Sequence, residues 1–112
     1  MEIRGLITTI RRQSPTSKKR TADIVFYQCG RNFYEKMTEK TRKKLFSDIT
    51  FLLESSKNKA NKNAKINDYN GFLLLTGFEW VADIGDDVGT LDPWRSLLPF
   101  LRSLGWDVVL DY

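Results

Sequence analysis

Thr21-Ala22-Asp23-Ile24-Val25-Phe26-Tyr27-Gln28-Cys29 decides how the rest of the chain is read. Ile24 to Tyr27 form an unbroken β-branched and aromatic run, apolar on both faces, which marks a buried strand. Upstream, Glu2 to Arg12 fits two periods. Ile3, Leu6, Ile7 and Ile10 make a helical stripe, whereas Gly5, Thr8, Thr9 and the isoleucines favour a strand, and we read a strand. The two strands then pair as a hairpin. Its tip runs from Gln13 to Lys19 around Ser14-Pro15-Thr16-Ser17 and is longer than the roughly two to five residues usual for hairpin loops.

Downstream of Gly30, Asn32-x-x-Glu35 reads as a helix cap with its reciprocal glutamate. Tyr34, Met37, Leu45, Ile49, Leu52 and Leu53 recur at helical intervals and predict a helix over 33–55, with Glu39 and Lys43 placed for an i,i+4 pair. Ser55 to Asn70 holds few large apolar side chains beyond Ile66 and Tyr69 and reads as a flexible polar stretch or a frayed end of that helix. Gly71 to Ile84 is a second strand region, with Gly77 at a bulge or break. Asp83 to Gly89 is a loop by composition. Asp92-Pro93 then starts a helix, Trp94, Leu97, Leu98, Leu101 and Leu104 set its apolar stripe, Pro99 distorts it and Gly105 ends it. Trp106 to Leu110 closes the chain as a strand. The fold class expected is α+β: a small sandwich in the order ββαβαβ, with a mostly antiparallel sheet of about four strands and two helices packed on it.

The chain has 112 residues, 41% of them apolar, enough for one core that buries about two-thirds of the unfolded surface. A single domain spanning 1–112 is expected. Its charge is uneven. Residues 1–65 hold 16 Lys and Arg against 6 Asp and Glu, whereas residues 66–112 hold 2 against 8. Both halves carry apolar periodicity, so a basic half and an acidic half are read as two faces of one domain.

Several chemistries are excluded outright. The chain has no histidine, which removes Ser-His-Asp and Cys-His systems and every histidine metal site. Cys29 is the only cysteine, so an intramolecular disulfide and a cysteine zinc cluster are impossible, which fits a reducing compartment. The thiol reads as a buried structural group. Met1-Glu2-Ile3-Arg4-Gly5 puts charges where a signal peptide needs an apolar stretch, and no run approaches the roughly 18 apolar residues of a membrane span, so a cytoplasmic protein is expected. Phosphate-loop and dinucleotide glycine motifs are missing, and no cofactor is expected.

Basic residues form three clusters. Arg11, Arg12, Lys18, Lys19 and Arg20 flank the hairpin tip. Lys36, Lys40, Arg42, Lys43 and Lys44 lie on the predicted helix, and Lys57, Lys59, Lys62 and Lys65 punctuate the polar stretch. Five cations around one turn repel one another unless an anion meets them, so the first cluster points to phosphates. The second adds a helix face to that surface. Tyr27, Phe33 and Tyr34, near Arg31 and Lys36, give the interleaving of rings and cations found in single-strand binders.

Asp83, Asp86 and Asp87, with Asp92, lie between a strand end and a helix start, where paired carboxylates can hold the divalent ions of a nuclease. The segment Val81 to Leu110, a quarter of the chain, loosely resembles the last helix-strand unit of PIN-like nucleases. That resemblance implies a metal-dependent nuclease. The first strand, Ile3 to Ile10, lacks the acidic residue of such families, and Asp92 serves equally as a helix cap with Asp86 and Asp87 as loop polarity. The expectation is therefore a small non-enzymatic protein binding DNA or RNA through the tip and helix cations. A protein-interaction or inhibitory module, of phage or mobile-element type, is the alternative, and a metal-dependent nuclease the third.

Two predictions follow from the sequence. Asp92→Ala should cost about 1 kcal/mol in chemical denaturation through loss of the cap, and the cap reading fails if stability is unchanged. A fragment ending at Lys65 should be unfolded or aggregated, because the stripe of the first helix needs the later strands to cover it. A cooperative melting transition in that fragment would overturn the single-domain reading.

Overall fold

The computed structural model of the chain describes residues 2–12, 18–28, 36–55, 64–81 and 92–111. Its elements are β1 (Glu2–Arg12), β2 (Lys19–Tyr27), α1 (Glu39–Glu54), β3 (Lys65–Tyr69), β4 (Phe72–Val81), α2 (Asp92–Ser103) and β5 (Asp107–Asp111). The fold is α+β, but the sheet is mixed and has five strands, in the spatial order β3-β4-β2-β1-β5. Only β1 and β5 run parallel; the other neighbours are antiparallel.

The expected order ββαβαβ is corrected to ββαββαβ. The added strand, β3, lies in the stretch read as flexible, because its alternation Lys65, Ile66, Asn67, Asp68, Tyr69 places only one aliphatic residue on the covered face. Its connection to β4 is the two-residue turn Asn70-Gly71, with φ of +53° and +89°, closed by the pair Tyr69 and Phe72. Only residues that tolerate positive φ make this turn, and its twist matches that of the strands it joins.

The helix expected over 33–55 begins later. Thr38 caps it: its hydroxyl oxygen accepts from the Thr41 amide at 3.3 Å, and its carbonyl accepts from the Arg42 amide at 2.9 Å. Met37 is buried but precedes the helix, and so does Lys36. Asn32 and Glu35, the cap expected from the sequence, lie outside the described residues, as does Cys29. The second helix spans Asp92–Ser103, with Pro99 inside it, and ends at Gly105 as expected. Trp106 donates its amide to the Leu101 carbonyl at 3.0 Å and Gly105 donates to Arg102 at 3.0 Å, a Schellman closure with Gly105 at φ +90°. Leu104, placed on the stripe by its spacing, belongs to this closure and is exposed.

Both helices pack on one face of the sheet. Leu45, Ile49 and Leu52 of α1 and Trp94, Leu97 and Leu101 of α2 cover Ile3, Ala22, Ile24, Phe26, Leu73, Leu75 and Phe78. Trp94 meets Phe26 edge-on, with ring centroids 6.0 Å apart. Its ring lies against the bare backbone of Gly5, where an added Cβ would come within 2.3 Å of the indole. Leu6, Val25, Phe72 and Leu74 alternate onto the other face and stand outside this core.

Gly5→Ala should therefore lower stability by about 1–3 kcal/mol, because a buried indole must shift to admit the methyl. At Gly105 an added Cβ meets nothing within 4 Å, so Gly105→Ala should cost only the strain of positive φ, about 1 kcal/mol. Urea titration of both variants checks this, and equal losses would refute the close approach at Gly5.

Candidate functional site

The first basic cluster is split by the sheet. β1 and β2 stay paired as far as Arg12 and Arg20, which are register partners. Lys18 and Lys19 are exposed beside them. Arg20, grouped by the sequence with the cations of the hairpin tip, is only 9% exposed. Strand alternation carries it onto the helix side behind Ala22, Ile24 and Phe26, and its Nη1 donates to the Lys19 carbonyl at 3.4 Å. Arg11 points to the other face and pairs with Asp23 at 3.2 Å. Residues 13–17 of the tip lie outside the described residues.

Asp23 sits at the middle of β2, where both neighbouring strands slip register: β1 between Ile7 and Thr9, β4 between Leu75 and Phe78. Its carboxylate accepts from the Gly77 amide at 3.1 Å as well as from Arg11, and its backbone carbonyl accepts from the Thr8 hydroxyl at 3.0 Å. Gly77, flagged by the sequence as a bulge, takes φ +68° there.

The helix cluster is largely committed to ion pairs. Arg42 binds Asp68 at 2.6 Å and so ties α1 to β3, while Lys43 binds Glu39 at 2.8 Å as its spacing predicts. The hydrogen bond from Lys43 and its charge, with the Arg42 charge adding, hold the Glu39 carboxyl below its ordinary range. Lys44 pairs with Asp48 at 3.1 Å, lies 4.6 Å over the ring of Trp106, and donates to the Leu104 carbonyl at 3.5 Å. Asp48 also accepts from the Trp106 indole at 2.8 Å, so Lys44 belongs to the joint between α1 and the end of α2. Lys36 and Lys40 are exposed and form no ion pair among the described residues.

Two other groupings were missed by sequence reasoning. On the face away from the helices, β3 presents Lys65, Asn67 and Tyr69 in alternation, all exposed, with Phe72 beside Tyr69. The turn signal Asn70-Gly71 could have revealed them. The Tyr27 phenol crosses β1 to donate to Asp111 of β5, and Tyr27 is fully buried. That contact joins residues 84 positions apart, and no local pattern announces it.

Among the described residues no group of three or more acidic or cysteine ligands could hold a metal ion. Asp83, Asp86 and Asp87 lie outside them. Among the described residues no helix is long and apolar enough to cross a membrane. Comparison of the chain with family models, with curated proteins and with solved structures gives no match.

Proposed function

We propose that the protein is a small non-enzymatic nucleic-acid-binding module of the cytoplasm. It grips phosphates with the basic end of the β1–β2 hairpin, assisted by the outer cations of α1. The observation that carries this reading is the hairpin end itself. Lys18 and Lys19 are exposed where the β1–β2 ladder ends at the register pair of residues 12 and 20, so this end of the hairpin presents positive charge on which a phosphate can settle. Lys40 extends the positive surface along α1, and Lys36 lies just ahead of the helix. The Lys43–Glu39 pair is exposed on both sides, and such pairs contribute little, so a phosphate competes readily for Lys43. Lys44 and Arg42 serve the fold first. The lone cysteine and the absence of histidine in the sequence accord with a binding role in a reducing compartment. Contacts of this kind supply affinity without base recognition.

The test is charge reversal of the two exposed lysines, Lys18→Glu with Lys19→Glu, leaving the buried Arg20 untouched. Each phosphate contact contributes about one unit to the slope of log affinity against log salt, so the double variant should bind a labelled oligonucleotide more weakly and with a slope smaller by about 2. Its melting temperature should be nearly unchanged, because both side chains are exposed. Unaltered affinity and slope would overturn the reading and favour a partner protein, which the oppositely charged halves of the chain would also suit.

A further inference from the structure

We propose that the sheet face away from the helices is a lane for single-stranded nucleic acid, with bases stacking on Tyr69 and Phe72 and phosphates meeting Lys65, Lys19 and Lys18; this rests on the nucleic-acid reading above. The rings come first. Tyr69 is 67% exposed, and Phe72 is its register partner across the turn. Directly opposed residues of an antiparallel pair have Cβ atoms about 5 Å apart on one face, so both aromatic side chains leave the sheet on the same side. Behind them, Leu74 and Val25 alternate onto the same face outside the core, which leaves an apolar floor.

Charge then gives the floor a direction. Along β3 the exposed side chains pass from Tyr69 through Asn67 to Lys65, and across the sheet the basic hairpin end lies beyond them, with Lys19 in register with Val81 at the far end of β4. Phe72 and Val81 are nine residues apart, so at about 3.3 Å per residue the lane is roughly 30 Å long. Most carboxylates of this face lie to one side, Glu2 on β1 and Asp107 and Asp111 on β5. Asp23 is taken by Arg11 and the Gly77 amide. Glu79 of β4 is the carboxylate that a bound strand must pass. Rings on a flat sheet reach the faces of bases only when those bases are unstacked, so the ligand is single-stranded and not duplex. Asn67 adds an amide that can bond a base edge.

Fluorescence anisotropy with a labelled single strand of about 12 nucleotides, within the range such sites cover, and with its duplex tests the lane on the full chain. The single strand should bind at least about tenfold more tightly than the duplex. Tyr69→Ala should weaken single-strand binding by about fivefold or more without changing the salt slope, whereas Tyr69→Phe should retain it. Tyr69 is exposed, so the melting temperature should hold. If duplex and single strand bind alike and Tyr69→Ala has no effect while the Lys18 and Lys19 reversal still weakens binding, the lane is refuted and the hairpin grip stands. If the wild-type chain binds neither, both readings fall. If Tyr69→Ala leaves oligonucleotide affinity intact but converts a dimer to a monomer in sedimentation, the face belongs to a second copy and the lane is overturned.

Discussion

The carboxylate of Asp23 is the constraint around which the sheet is arranged. At the middle of the central strand it accepts from the Gly77 amide of one neighbour and from Arg11 of the other, and the Asp23 carbonyl takes the Thr8 hydroxyl. Each flanking strand carries an extra residue opposite this point. A bulge leaves a strand amide without its ladder partner, and a half-buried amide left so costs on the order of 1–3 kcal/mol. The Asp23 side chain supplies the missing acceptor. The gain is in packing. With the extra residue, Ile7 and Ile10 of β1 both reach the helix side, as do Leu75 and Phe78 of β4. An unbroken alternation would turn one of each pair toward the opposite face.

That covered face then absorbs part of the chain's surplus of positive charge. Arg42 closes on Asp68 of β3, Lys44 on Asp48 and the ring of Trp106, and Arg20 folds inward behind Ala22. The Arg42–Asp68 pair and the Lys44 ammonium over Trp106 join the basic first half of the chain to the second half, so cations of the first half are also part of how the halves hold together. What remains outside is concentrated at the hairpin end and along the outer side of α1. The cations in pairs between elements cannot leave without loosening a helix from the sheet.

The opposite face follows from a different economy. A sheet covered by helices on one side only must still alternate, and its second set of side chains has no core to enter. In most positions this set is polar or β-branched. Where β3 meets β4 it is aromatic, in a pair brought together by a turn of two residues. Rings on an open face that carries lysines farther along it suit a ligand with flat surfaces and negative charge, and that match is the basis of the proposed single-strand lane.

Local sequence alone determined the buried strand at Ile24 to Tyr27, the amphipathic helix around Leu45 to Leu52, and the second helix with its Asp92-Pro93 start and Gly105 stop. In each, the periodicity or the capping residue acts within a few positions. It also determined the charge asymmetry and, through the missing histidines, the chemistries that are closed to the chain. The tertiary structure decided the rest. β1 has a helical stripe in its sequence because a bulge at Thr8 moves Ile10 from the phase of an ordinary strand to a spacing of three, and that bulge exists only opposite Asp23. β3 is a strand because β4 pairs with it and α1 offers Arg42 to Asp68; its own five residues contain too little apolar surface to say so, and only Asn70-Gly71 hinted at the hairpin. Which lysines and arginines face water could not be read from a cluster of like charges. Strand phase sends Lys19 outward and Arg20 inward, and phase is a property of the register between strands.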